Sequence, residues 1–263
     1  MSAIAAEPGR VHLDVEGAIA RLTFDRPSAR NAMTWQMYDD LAHGCRAIDA
    51  TPAIRLAVLR GAGGRAFVAG TDIEQFRQFT SGLDGVAYER KIDSYITALE
   101  TLRVPTIAVV EGWAVGGGLA IANACDLRIA ATGARFGMPI ARTLGNCLSP
   151  ANLRRLCDTL GVSWVKRMVL MAEMPTAEEL FSLGYLSAVV SPAELDARVD
   201  DTCQRLLAHA PATMHVTREM LQRLATDPRA QAEDLIESCY GSEDFREGVE
   251  AFFAKNPPRW QGR

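Results

Sequence analysis

Two glycine-marked segments, Phe67-Val-Ala-Gly-Thr-Asp-Ile73 and Glu111-Gly-Trp-Ala-Val-Gly-Gly-Gly118, have the composition of strand-to-helix turns. Such a turn leaves backbone N–H groups unpaired at the start of a helix, where the helix dipole favours negative charge and the missing Cβ atoms let a ligand approach the backbone. Two N–H groups aimed at one oxygen form an oxyanion hole, the device that a thioester enolate needs; losing one donor costs about 3 kcal/mol of transition-state stabilisation. The plainer reading is that these glycines only permit tight turns. A dinucleotide fingerprint does not fit, because Gly116-Gly-Gly-Leu-Ala-Ile121 lacks the third glycine of GxGxxG and no acidic residue closes a βαβ unit about 20 residues later.

The elements around these turns follow from periodicity. Residues 11–15 and 18–24 alternate apolar and polar positions about Glu16-Gly17, which predicts a hairpin that Arg26-Pro27 ends. Trp35, Tyr38, Leu41, Ala42, Cys45 and Ile48 recur at helical spacing behind Thr34, a natural N-cap. An apolar strand over 54–60, a flexible turn over 61–64, a short strand over 66–68 and a helical pattern from Asp72 come next. A helix from Tyr88 to about Thr101, broken at Val104-Pro105, leads to a buried strand over 106–110, a helix over 119–124 and short strands over 127–130 and 135–136. Strand-strand-helix units recurring at this interval predict an α/β solenoid-like spiral rather than an open doubly wound sheet. Beyond residue 191 the chain reads as four amphipathic helices over 192–210, 213–225, 230–237 and 243–253. The expected division is a core over 1–195 and a helical region over 196–263.

A chain of 263 residues with 48% hydrophobic content can bury a full core, and its formal charge of −4 provides no general field for nucleic acid. A polyanionic ligand must therefore be held by local groups. The six cysteines have no CxxC spacing and no histidine cluster to complete a zinc shell, which fits reduced thiols. No stretch approaches the length of a membrane span, and the first ten residues lack an apolar leader core, so a cytoplasmic protein is expected.

Both glycine turns, in order and separation, resemble the two signatures of the crotonase (enoyl-CoA hydratase/isomerase) family, and the similarity runs almost end to end. Leu22-Thr-Phe-Asp-Arg-Pro-Ser-Ala-Arg-Asn-Ala32 resembles the family's first CoA-binding loop. Arg135-Phe-Gly-Met-Pro139 resembles the strand and loop before its second catalytic position, and Glu247-Gly-Val-Glu-Ala-Phe-Phe-Ala-Lys255 resembles its C-terminal helix. The resemblance implies a crotonase-like spiral of ββα units with a C-terminal helical trimerisation region. It also implies a homotrimer or dimer of trimers with its site near a subunit boundary, an acyl-CoA thioester substrate, and no cofactor beyond the CoA moiety. Carried over by position, Thr71 and Gly117 would donate the oxyanion-hole N–H groups. Ser28, Ala29, Arg30, Ala69, Gly70, Asp72 and Ile73 would cradle the CoA arm, and Phe252 and Lys255 would reach a neighbouring subunit's adenine and phosphates. Trimer-core packing for Phe252 and a solvated charge for Lys255 are the alternatives.

The departures from the family pattern limit the chemistry. Hydratases of this family place one glutamate three residues after the oxyanion glycine and another directly after Phe-Gly-x-Pro, a pair that activates water and moves the α-proton. Here those positions are Ala120 and Ile140, and no acidic residue occurs from Arg135 to Cys157. Arg142, Thr143, Asn146, Cys147 and Ser149 remain, none a natural base near neutral pH, and Cys147 has no evident histidine partner as a nucleophile. Glu74 and Tyr88 are the proton-transfer candidates retained, whereas Asp72, Glu111 and Asp126 read as structural and the four histidines lie outside the signature segments. Met33, Met37, Phe76, Phe79, Leu83 and Met138 are candidates to line an acyl chamber. The expected function is an acyl-CoA enzyme of the enoyl-CoA hydratase/isomerase type that stabilises a thioester enolate. The alternatives are a non-catalytic acyl-CoA-binding homologue and a CoA-thioester decarboxylase or hydrolase.

Overall fold

A computed structural model describes residues 9–262; residues 1–8, which include most of the stretch read for a leader, and residue 263 lie outside the described residues. The hairpin forms as expected from β1 (Arg10–Glu16) and β2 (Ile19–Asp25), turning at Gly17. To β2 are added, all parallel, β3 (Leu56–Gly61), β4 (Thr106–Val110), β6 (Leu127–Ala131) and β8 (Ala188–Val190), giving a six-stranded sheet in the order β1-β2-β3-β4-β6-β8. Both faces of its central strands are buried, which is why their sequences are continuously apolar rather than alternating. Ala57, Leu59, Ala108 and Val110 point into the larger core, while Leu56, Val58, Ile107, Val109 and Ile129 point to the opposite face. There α8 (Leu195–Leu207) covers them with Leu195, Val199 and Cys203.

A second, narrower layer of strands stacks beside the first. Its β5 (Trp113–Val115) pairs in parallel with β7 (Arg135–Gly137), and single-residue rungs join Val68 to Ala114 and Met33 to Thr71. The strand expected at 66–68 is thus reduced to one bridging residue: the Val68 N–H donates to the Trp113 carbonyl at 3.2 Å and the Val68 carbonyl accepts from Val115 N–H at 3.0 Å. Each turn of the chain runs from the main sheet through this layer and then into a helix, which is the ββα spiral.

The helices of the core are α1 (Trp35–Asp49), α2 (Gly82–Glu100), α3 (Gly117–Ala124), α4 (Ile140–Thr143), α5 (Pro150–Leu160), α6 (Val162–Leu170) and α7 (Ala177–Ser182). Thr34 caps α1 by accepting from Met37 N–H. The helix expected from Tyr88 begins six residues earlier, because Asp84 accepts from the Thr80 and Ser81 N–H groups at 2.7 and 2.8 Å and so anchors a glycine-containing first turn. Beyond the sheet lie α9 (Pro211–Thr226), α10 (Glu233–Gly241) and α11 (Glu243–Ala254), close to the expected spans. Among the described residues no helix is long and apolar enough to cross a membrane.

Candidate active site

The two glycine turns meet where the narrow layer passes into helices. At the first, Met33 N–H donates to the Gly70 carbonyl at 2.8 Å and Asp72 N–H to the Met33 carbonyl at 2.9 Å. In an extended segment successive N–H groups face opposite sides, so these two bonds turn the intervening Thr71 N–H away from Met33 and towards α3. At the second, Gly117 is the first residue of α3, and its N–H has no carbonyl one turn back to bond. Gly70 (φ 112°) and Gly116 (φ 55°) adopt backbone conformations that side chains with a Cβ resist, which explains glycine in each turn. At Gly117 the reason is space: a Cβ there would stand 2.5 Å from the Tyr38 hydroxyl, 3.2 Å from Thr71 Oγ1 and 3.7 Å from the Thr71 amide nitrogen. The two N–H groups therefore lie side by side.

Hydroxyls hold this corner from behind. Thr71 Oγ1 is hydrogen-bonded to the Tyr38 hydroxyl at 2.8 Å and to the Tyr88 hydroxyl at 3.0 Å. Burial raises both phenols, Tyr38 well beyond the ordinary tyrosine range and Tyr88 to about 12, so both stay protonated and do not act as bases. Tyr88 packs edge-on against Trp35 and Phe76, with Phe79 alongside.

In front of the corner is a cavity of about 370 Å³. Thr71, Gly117, Ala120, Met138 and Ile140 line it together with Phe76, Tyr88, Glu89, Ile92 and Asn146. It shares Phe76, Tyr88, Glu89, Leu144, Asn146 and Leu148 with a second, outer cavity of about 730 Å³, where Phe79 and the exposed Cys147 also lie. Of the residues expected to line an acyl chamber, Phe76, Phe79 and Met138 do so; Met33 and Met37 are fully buried core, and Leu83 is exposed.

Ser28 and Ala29 lie in a 3-10 turn over Pro27–Ala29, followed by Arg30 and Asn31 in left-handed conformation. Arg30 presents its carbonyl to Ala69 N–H at 3.1 Å, so the 28–30 and 69–73 segments are neighbours, and Ala69, Gly70 and Ile73 line the inner cavity. The Asn31 side chain locks this arrangement, accepting from Arg26 N–H and donating to the Ala62 and Ala66 carbonyls. Asp72 is turned to Arg26 at 2.7 Å and caps the 3-10 turn over Ile73–Gln78. Phe252 and Lys255, at the end of α11, are exposed on the opposite part of the chain, Phe252 by 79%.

Glu74 does not join the cavity. Its carboxylate is 64% exposed and pairs with Arg77 at 3.1 Å, because the 3-10 turn carries it to the solvent side. Glu111 and Asp126 pair with Arg60 and Arg218, and none of the four histidines lines the cavity. The acid that does face it is Glu89. No motif marks this residue in the sequence; its only signal is helical register, three and seven residues before the buried Ile92 and Ile96. Its Oε2 accepts from Ser149 N–H at 2.8 Å. Burial pushes the Glu89 carboxyl above its ordinary value against the lowering effect of that N–H, with Asp93 adding to the rise.

Two glycine turns in a spiral of stacked parallel layers define a class of protein, and sequence comparison gives the same class. The family model described as Enoyl-CoA hydratase/isomerase matches residues 14–263. The chain is 29% identical over 260 residues to the short-chain-enoyl-CoA hydratase of Clostridium acetobutylicum, covering 95% of this chain and 96% of that one. It is 30% identical over 256 residues to the (E)-benzylidenesuccinyl-CoA hydratase of Thauera aromatica, covering 96% and 99%. A crystal structure of an enoyl-CoA hydratase/carnithine racemase from Magnetospirillum magneticum superposes with a TM-score of 0.89 at 31% identity, over 96% of each chain. The chain belongs to the enoyl-CoA hydratase/isomerase, or crotonase, family.

Proposed function

We propose that the protein binds an acyl-CoA thioester with its carbonyl oxygen between the N–H groups of Thr71 and Gly117, and that these stabilise the enolate formed by loss of an α-proton. The adjacency of the two N–H groups beside a 370 Å³ cavity carries this reading. Preorganised dipoles cost no reorganisation as charge develops, and removing one such donor lowers kcat by about 100- to 1,000-fold. Segments 28–30 and 69–73 cradle the CoA arm, whose charges need local partners in a chain of net negative charge.

Ala120 and Ile140, where family hydratases carry glutamates, present only apolar surface to the cavity. This argues against efficient water addition through that pair and leaves double-bond isomerisation, decarboxylation, hydrolysis or binding alone to be separated by experiment. Incubation with enoyl-, branched, aromatic and malonyl-type CoA thioesters in deuterated water, followed by mass spectrometry, separates them. Deuterium at Cα or a moved double bond supports the enolate reading, whereas water addition identifies a hydratase with a different base. Carbon dioxide or free CoA as product assigns the site to decarboxylation or hydrolysis, and measurable binding without turnover assigns it to binding alone.

The assembly proposed is a homotrimer or a dimer of trimers, in which the helical region carries exposed Leu221, Tyr240, Phe252 and Phe253, apolar groups that water disfavours. Light scattering that returns a monomer would contradict it.

A further inference from the structure

Glu89 is the one carboxylate among the described residues that line the inner cavity, and it also lines the outer one. Its surroundings differ from those of the other acids on the same wall. Asp93, one turn later on α2, accepts from the Ser149 hydroxyl at 2.7 Å and faces Arg155 of α5 at 3.5 Å. Arg155 is in turn committed to Glu100 at 2.9 Å, to Thr97 and to Asn152. Glu89 therefore has no cation of its own. It has a single backbone donor on Oε2, and among the described residues Oε1 has no hydrogen-bond partner. The charged and titratable groups around it are Tyr88, Arg90 and Asp93 on its own helix, Tyr38 on α1, Cys147 in the 144–149 segment and Arg155 on α5.

A carboxylate with one fixed oxygen and one open oxygen, lining the same cavity as Thr71 and Gly117, is available as a base for a carbon acid held between their N–H groups. We propose that Glu89 is the acid–base residue of this site and that it serves an acyl-CoA with a β,γ double bond, a proposal that rests on the enolate reading above. Oε1 takes the proton from Cα. The C–H bond breaks, an O–H bond forms, and the electron pair spreads through the carbonyl and the β,γ bond to give a dienolate whose oxygen faces the Thr71 and Gly117 N–H groups. Return of the same proton to Cγ restores the thioester carbonyl and leaves a conjugated α,β double bond, with no oxidant, reductant or water consumed. One carboxylate suffices for this shuttle. Water addition requires two groups at once, one to deprotonate water and one to protonate Cα, and Ala120 and Ile140 supply neither. The raised proton affinity that burial gives Glu89 suits a group that must both take and return a proton near neutral pH.

Glu89→Gln tests the assignment, since glutamine keeps the shape and can still accept from Ser149 N–H. The full chain and this variant are compared for binding of butyryl-CoA by calorimetry, for deuterium uptake at its Cα, and for conversion of a β,γ-unsaturated hexenoyl-CoA to the conjugated isomer. The expected result is butyryl-CoA binding within about twofold of the parent, with exchange and isomerisation reduced about 100-fold or more. Glu89→Asp should recover part of the rate, and the parent's rate should rise with pH through one ionisation that the Gln variant lacks. A residue that only anchors Ser149 would not move that profile. Exchange by Glu89→Gln at the parent's rate would overturn the assignment, as would a parent protein that binds butyryl-CoA but neither exchanges nor isomerises. A parent that binds no acyl-CoA overturns the thioester reading itself, and with it the role of Glu89.

Discussion

The two parts of the cavity lining, one from the glycine turns and one from α2 with the 144–149 segment, are built on different plans. The wall from the glycine turns presents backbone N–H groups set among apolar side chains, with Ala120 and Ile140 close by, and it is fixed by strand rungs and a helix start. The part from α2 and the 144–149 segment carries side-chain polarity: Glu89 lines the cavity and is joined through Ser149 to Asp93 and Arg155 behind it. On the proposed reading the first holds a developing negative charge and the second moves a proton, so each does what the other cannot. If the proposal holds, the scaffold has kept its electrostatic half while its acid–base half sits on another element.

Perturbing the backbone wall should give the largest loss. Gly117→Ala keeps the N–H but places a methyl against the Tyr38 hydroxyl, and by displacing the donor is expected to lower kcat/KM by up to about 100-fold. Because the obstructing atom is one hydroxyl, Tyr38→Phe added to Gly117→Ala should restore part of the rate, a non-additive pair that steady-state kinetics would reveal. The frame behind that wall is the next target. Asp72→Ala leaves the buried Arg26 without its carboxylate and is expected to lower unfolding free energy by about 2 kcal/mol, less than the usual cost of breaking a buried pair because Arg26 keeps its bond to the Ala32 carbonyl. Denaturant unfolding measures it.

On the charged wall the expected stability change is small and opposite in sign. The folded Glu89 carboxyl sits above its unfolded value, so its stabilising contribution is present in acid and lost as pH rises through the folded value. Glu89→Gln should therefore melt slightly higher than the parent near neutral pH, with the difference closing in acid; a pH series of Tm tests the direction. Smallest of all is Glu74→Gln, expected to leave turnover and stability unchanged because that carboxylate lies in solvent beside Arg77. A clear loss of turnover would return Glu74 to the reaction and break the contrast between the walls.

Local patterns made much of the backbone wall legible. The hairpin, the Thr34 cap, the buried strands and both glycine turns follow from periodicity and from the special conformations of a few residues, and they stand where those rules put them. The region from residue 140 to 190 was harder to read. There the strand β8 closes the edge of the main sheet by long-range pairing with β6, while the local caps at Ser149 for α5 and Thr176 for α7 were signals the pattern reading passed over.

What the amino-acid sequence determined by itself was the fold class and the two glycine turns, because turns, caps and strand patterns are decided within a few residues of chain. Only the tertiary structure decided the rest of the site. It carried Glu74 into solvent, and it set α2 against a segment 60 residues further on, so that Glu89 meets the Ser149 N–H at the cavity wall. Whether a carboxylate faces water or a cavity depends on which element packs over it, and that is a property of the assembled layers rather than of any short stretch of sequence.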